Sequence, residues 1–269
     1  QLIDPDAFEG EGLPSIKELE PYVMRTEKRL AVDYQGDKLF NDRETSCFNI
    51  ELDVDRHEKQ LALYDSITEY VKTGFNTAKR KKRNATGLIM ILFQRLASSS
   101  TAAILSAMEG RLYRLKNGDD YLEDYDLEDY FNEDSSDAFD LEDVYANLSG
   151  NIEDEENLLS NLVEQAKECI NNEIDAKAEA FILKYQELQQ DYNNKDLKVL
   201  MFTEFRTTQK MLQDILEDKG YRCSIINGSQ NIDDRKTSLM EFKEESQLMI
   251  ATDAAGESLN MQFCHIVFN

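Results

Sequence analysis

The chain has 269 residues, enough for one large domain or two small ones, and a formal net charge of −24. An acidic balance of that size, taken alone, argues against a nucleic-acid partner. No run is long and apolar enough to span a membrane, and no secretory signal is visible. Only His57 and His265 are present, and Cys47, Cys169, Cys223 and Cys264 are widely spaced without a CxxC pair. That argues against a zinc site, a disulfide framework or a His-dependent hydrolase, and for reduced, mostly buried thiols in a cytoplasmic protein. The chain starts at Gln1 and stops at Asn269 directly after an apolar run, and so reads as a fragment of a longer protein.

Residues 1–21 hold all three prolines (Pro5, Pro14, Pro21) and read as loop. Pro21 to Arg29 offers an apolar patch with a cationic end. Thr45 to Asp53 alternates through Cys47, Phe48, Ile50 and Leu52, which predicts a strand. Asp53 or Asp55 is placed to cap the next helix, whose face is Leu61, Tyr64, Ile67 and Val71. Lys79-Arg80-Lys81-Lys82-Arg83 is the one dense basic run. It reads equally as a phosphate contact and as a solvated helix end.

Leu88 to Phe93 is apolar all round and predicts a deeply buried helix, interrupted by Gln94 to Ser100. Ser99 or Ser100 then caps a helix carrying Ile104, Leu105, Met108, Leu112 and Leu115. From Asn117 to Asn157 there are 17 acidic residues and no lysine or arginine, so the rest of the chain carries only −7. This stretch reads as a mobile insertion, or as an acidic-aromatic segment that docks on a basic partner. Glu155 to about Tyr192 predicts one long amphipathic helix striped by Leu158, Leu162, Ala166, Ile170 and Ile174.

The last part alternates strand and helix. Lys198 to Phe205 is an apolar run that ends abruptly in polar residues. Met211, Leu212, Ile215 and Leu216 follow at helix spacing up to Gly220. A strand at Tyr221 to Ile226, the loop Asn227-Gly228-Ser229, and a helix with Leu239, Met240 and Phe242 come next. Strands at Leu248 to Ala251 and His265 to Phe268 close the chain. Alternation at this pitch implies an α/β fold with a parallel sheet. Such sheets place ligands at the carboxyl ends of their strands. Thr203-Glu204, Asn227-Gly228-Ser229 and Thr252 to Asn260 would then share one rim.

These residues carry a resemblance. Lys198 to Phe205, the Gly228-Ser229 loop followed by Arg235 and Phe242, and Ala251 to Asn260 resemble the second RecA-like lobe of superfamily-two helicases. They look most like Swi/Snf-type DNA translocases. Pro21 to Arg25 resembles the segment after the first lobe's last motif, and Gln94 to Leu115 the helical segment of the bacterial RNA-polymerase-associated branch. The resemblance implies a tail of the first lobe and linker over 1–54 and a helical region over 55–195, with an acidic insertion at 117–157. It implies an incomplete second lobe over 196–269.

It also implies that Thr203 and Thr252 give hydroxyls to backbone phosphates, that Gly228, Ser229 and Arg235 face the nucleic acid, and that Gly256, Glu257 and Asn260 face ATP and its Mg between the lobes. Double-stranded DNA is the implied partner of the parent protein. Ser258 stands where the family usually has glycine. There is no GxxxxGK[ST] loop and no DExH box. The parent is therefore expected to hydrolyse ATP, this chain alone is not, and no catalytic residue is assigned in it. A non-catalytic acidic interaction module on an α/β scaffold is the alternative. A Rossmann-type enzyme ranks below both, because no GxGxxG follows a strand.

Overall fold

Among the described residues four parallel strands form the sheet: β1 (Val199–Thr203), β2 (Cys223–Ile226), β3 (Leu248–Thr252) and β4 (Ile266–Phe268), in the order β2-β3-β1-β4. The computed structural model describes residues 30–40, 42, 44–81, 84–117, 154–252, 261 and 263–269, without the side chains of 77–81 and 84–89. The chain divides into two compact units, Gln1–Asn49 and Ile50–Asn269.

In the first unit the described residues form a tight turn. Asp33 Oδ1 accepts from the backbone N–H of Gln35 and Asp37, and an isolated antiparallel bridge joins Val32 to Lys38. Gly36 sits there at φ +89°, a conformation that favours glycine. The strand expected over Thr45 to Asp53 does not form. Alternation alone does not make a strand, because its N–H and C=O groups need a neighbouring ladder. Phe48 and Ile50 are exposed accordingly.

The helices of the second unit precede the sheet: α1 (Glu58–Lys81), α2 (Asn84–Ser99), α3 (Thr101–Asn117), α4 (Glu155–Asn172) and α5 (Ala176–Asp191). Asp53 caps the turn before α1 rather than α1 itself; its carboxylate accepts from Asp55 and Arg56 N–H. The buried face of α1 is Leu63, Ile67, Tyr70 and Val71, while Tyr64 is exposed. Met90, Leu92, Phe93 and Leu96 are buried on α2, but Ile91 is exposed, so that helix is not buried all round. Nor does the polar run from Gln94 interrupt it. The helix continues to Ser99 and breaks at Ser100, whose hydroxyl caps α3 by accepting from Ala103 N–H at 3.1 Å.

The single long helix expected from Glu155 to Tyr192 is two helices broken at 173–175. The break is held by carboxylates. Glu173 turns extended and accepts from the first free N–H groups of α1, Lys59 at 2.8 Å and Gln60 at 3.0 Å. Asp175 caps α5 through Lys177 N–H and also accepts from Thr101 N–H at the start of α3. Three helix N-termini thus meet two carboxylates, which satisfies orphan donors and opposes the helix dipoles. The buried stripe shifts as a result. Leu159, Leu162, Val163, Ala166 and Cys169 are inside, whereas Leu158, Ile170 and Ile174 are exposed.

The sheet is covered on both faces, which is why its strands read as continuous apolar runs. Val199, Met201, Leu248 and Ile250 pack against α5 and against Leu212 and Leu216 of α6 (Arg206–Asp218). Leu200, Met249 and Ala251 pack against Phe242 of α7 (Ile232–Glu244) on the opposite face. The β1-to-β2 and β2-to-β3 connections run in opposite directions across the sheet. Right-handed crossovers then place α6 and α7 on opposite faces. Gly220 ends α6 at φ +86°, with Tyr221 N–H returning to Leu216 C=O at 3.0 Å. At the amino end of the sheet, Lys198 Nζ donates to the carbonyls of Phe242 and Ser246 at the end of α7. Burial, with Arg222 nearby, holds its pKa below the usual lysine range.

Candidate nucleic-acid rim

All four strands run the same way, so their carboxyl ends share one edge. Thr203 and Thr252 are the last residues of β1 and β3, and they are register partners on adjacent strands. Both side chains follow the alternation of Met201 and Ile250 and lie on the α6 side. Thr252 is 0% exposed, and among the described residues its hydroxyl has no hydrogen-bond partner. Thr203 is half-buried.

The loop after β2 is built by its own amides. Asn227 Oδ1 accepts from Ser229 N–H at 3.2 Å and Ser229 Oγ at 2.8 Å, the short-range turn that asparagine favours. Gly228 and Ser229 are left exposed. Asn231 caps α7 by accepting from Asp233 and Asp234 N–H, both at 2.9 Å, which fixes where that helix starts. One turn on, Arg235 folds back and donates from Nη2 to Gly228 C=O at 3.2 Å; its Nε is buried without a partner among the described residues. Arg235 is therefore a half-buried part of the loop, not a solvated side chain.

Thr203, Gly228, Ser229, Arg235 and Thr252 thus lie on or beside one edge. Gly256, Glu257 and Asn260, together with Ser258, lie outside the described residues. So do Pro21 to Arg25, and so does the basic run from Lys79 in its side chains.

Three residues at this edge were not singled out from the sequence. Gln209 is 2% exposed and bonds to both β2 and β3. Its signal was a polar residue on the apolar stripe with Leu212 and Leu216. Thr208 is buried against the α2–α3 junction, within 2.8 Å of both Ser99 Oγ and Ser100 Oγ. Arg95 of α2 pairs with Glu204, directly after Thr203. Phe205 joins the helical core beside them. The helical region is therefore packed onto the rim by residues 204–208. No sequence pattern predicts such a contact between side chains about 110 residues apart.

Other chemistry is used structurally. A cleft of about 310 Å³ lies among α1, the α2–α3 junction and the start of α5. Its Gln60, Asp175 and Lys177 side chains are engaged in helix capping and in a bond from Lys177 to Ser98 C=O. The four thiols are free. Burial pushes Cys169 up to about 11 and Cys223 up to about 12. Among the described residues, no group of three or more His, Cys, Asp or Glu is arranged to hold a metal ion, and no helix is long and apolar enough to cross a membrane.

The fold is that of a RecA-like α/β lobe preceded by helices. Residues 182–269 match the family model for the helicase conserved C-terminal domain. The chain is 36% identical over 74 residues to the "Uncharacterized ATP-dependent helicase YqhH" of Bacillus subtilis, covering 28% of this chain and 13% of that protein. It is 30% identical over 84 residues to the "ATP-dependent RNA helicase DBP3" of Yarrowia lipolytica, covering 31% of this chain and 16% of that protein. The chain thus spans a minor part of these relatives. Among solved structures it resembles the Pyrococcus furiosus Hef helicase domain, with a TM-score of 0.50 and 12% identity over 78% of this chain and 46% of that one. Residues 182–269 are thus similar to a helicase C-terminal domain, and the likeness to the Hef structure is one of fold.

Proposed function

We propose that this chain is part of an ATP-dependent, Swi/Snf-type motor that moves on double-stranded DNA, and that its sheet rim grips the phosphate backbone. In this reading residues 1–54 are the tail of the first lobe, 55–195 the helical region and 196–269 part of the second lobe. The observation that carries it is the meeting of Thr203, Thr252 and the exposed Gly228-Ser229 loop at one edge of a parallel sheet, inside the segment that matches the helicase domain. Short hydroxyl side chains suit a phosphate that must be gripped and released, and they position a strand without reading its sequence. Thr203 and Ser229 are the reachable hydroxyls. Arg235 adds a cation one helical turn from the loop.

ATP and Mg would serve the whole motor, with Gly256, Glu257 and Asn260 facing them. The chain has no GxxxxGK[ST] loop, so hydrolysis is assigned to residues outside it. Free thiols fit a cytoplasmic protein.

The test is binding of labelled duplex DNA to the whole chain at rising salt. The logarithm of the binding constant should fall linearly with log salt, and Thr203→Ala with Ser229→Ala should weaken binding. No binding at low salt overturns the reading. Tighter binding to duplex RNA would instead move the substrate toward that named for the DBP3 relatives. Phosphate release from ATP above a Glu257→Ala control would show that the chain is catalytic by itself.

A second reading rests on the acidic run, in which residues 118–153 carry 14 acidic and no basic side chains. A protein partner with a basic surface would fit it, and the sheet would then be scaffold. Loss of such a partner on removal of 118–153, with DNA binding absent throughout, would favour this reading.

A further inference from the structure

Gln209 sits in the first turn of α6, buried against β2 and β3. Its Nε2 donates to Ile226 C=O at 2.9 Å, the last carbonyl of β2, and to Ile250 C=O at 2.8 Å, in the middle of β3. Both amide hydrogens are thereby used. The remaining atom, Oε1, can only accept, and it accepts from Asn227 Nδ2 at 2.9 Å. An asparagine amide has one donating and one accepting end, and its hydrogen-bond network decides which way it faces. With Nδ2 held by Gln209, Oδ1 must face Ser229, where it accepts from both the N–H and the hydroxyl. The orientation of the exposed loop is therefore set one step away, by a residue that is itself buried.

We propose that Gln209 is the positioning residue of the Gly228-Ser229 loop. By fixing the Asn227 amide it holds the Ser229 hydroxyl where a backbone phosphate oxygen can exchange for Asn227 Oδ1. This rests on the rim reading above. Thr208, the preceding residue, is bonded to Ser99 and Ser100 of the helical region. One turn of α6 thus ties the loop on one side and the helices on the other. Without the Gln209 bond, the Asn227 amide is free to flip and present Nδ2 to Ser229, which changes the hydroxyl from donor to acceptor.

The experiment is a double-mutant cycle read by anisotropy of a short fluorescein-labelled DNA duplex, using the whole chain. Gln209→Leu is expected to weaken binding roughly tenfold, the size of one lost hydrogen-bond contact. In a Ser229→Ala background the same change is expected to cost little more, because the group it positions is gone. A merely structural role would lower affinity by the same factor in both backgrounds. Asn227→Ala leaves the two strand bonds of Gln209 intact and cuts only the link to the loop. It should reproduce the loss and the non-additivity even where Gln209→Leu folds poorly. Additive losses, or unchanged binding by Asn227→Ala while Ser229→Ala weakens it, overturn this inference and leave the rim reading standing. Absence of binding by the unsubstituted chain overturns both.

Discussion

Arg111 and Glu155 pair inside the helical core, although 44 residues separate them. Their side chains are 6% and 3% exposed, with Arg111 Nε at 2.6 Å and Nη2 at 2.5 Å from Glu155 Oε1. Tyr70 completes the cluster by donating to the same oxygen at 2.7 Å, while Glu155 Oε2 has no partner among the described residues. Burial raises the Tyr70 hydroxyl well above the usual tyrosine range, so it remains a donor. Removing one member of such a pair strands a buried charge. Arg111→Met should destabilise the protein by roughly 3–5 kcal/mol in urea denaturation. Adding Glu155→Met should recover much of that, because the stranded carboxylate is then gone. A single substitution that costs under about 1 kcal/mol would contradict this.

The acidic run is attached at a closed neck. Lys116 and Glu156 stand 3.8 Å apart, and Glu109 and Lys167 2.7 Å apart, so α3 and α4 are antiparallel with their loop ends adjacent. Antiparallel helices are commonly joined by about 2–8 residues. Replacing residues 118–153 with a short Gly/Ser linker should therefore preserve cooperative unfolding of the helical core in urea. Loss of cooperative unfolding in the shortened chain would refute the closed neck.

Alkaline pH should unfold the protein. Burial raises Cys169 to about 11 and Cys223 to about 12 from a model-peptide value of 9.0, and raises Cys264 and Tyr185 as well. A raised acid holds its proton more tightly folded than unfolded. That contribution is complete below pH 9 and is lost as pH rises toward 12. The denaturation midpoint should fall across that window. At pH 8, exposed Cys47 should react first with a thiol reagent, half-buried Cys223 and Cys264 more slowly, and buried Cys169 only on unfolding. Equal labelling rates for all four would contradict this order.

Gly74 lets α1 approach α2. A Cβ added there would strike Met90 at Sδ, with Cγ at 2.7 Å, and Met90 is fully buried. Alanine gains about 1 kcal/mol of helix propensity over glycine. Overpacking costs about 1–3 kcal/mol. Gly74→Ala should therefore be neutral to destabilising, and shortening Met90 to alanine in the same chain should remove the clash at the expense of packing. A clear gain in stability from Gly74→Ala alone would show that Met90 has room to move.

The sequence by itself determined the carboxyl-terminal fold. Val199 to Met201 and Leu248 to Ala251 are apolar without alternation because helices cover both faces of their sheet. Gly220 and the Asn227-Gly228-Ser229 loop marked the turns, since glycine and asparagine suit those backbone geometries. The rim residues Thr203 and Thr252 were legible because a parallel sheet must end its strands on one edge.

What only the tertiary structure decided depends on distant partners. Thr45 to Asp53 alternates like a strand but finds no ladder. Glu155 to Tyr192 reads as one helix but breaks where Glu173 and Asp175 satisfy the N-termini of α1, α3 and α5. The Leu158, Ile170 and Ile174 stripe lost its burial to Leu159, Val163 and Cys169 with that change. Gln209 looked like an ordinary helix residue until the fold set carbonyls of two strands and an asparagine amide around it. Local pattern fixes which face of an element is apolar, whereas a buried polar group is fixed by whichever donors and acceptors the rest of the chain brings to it.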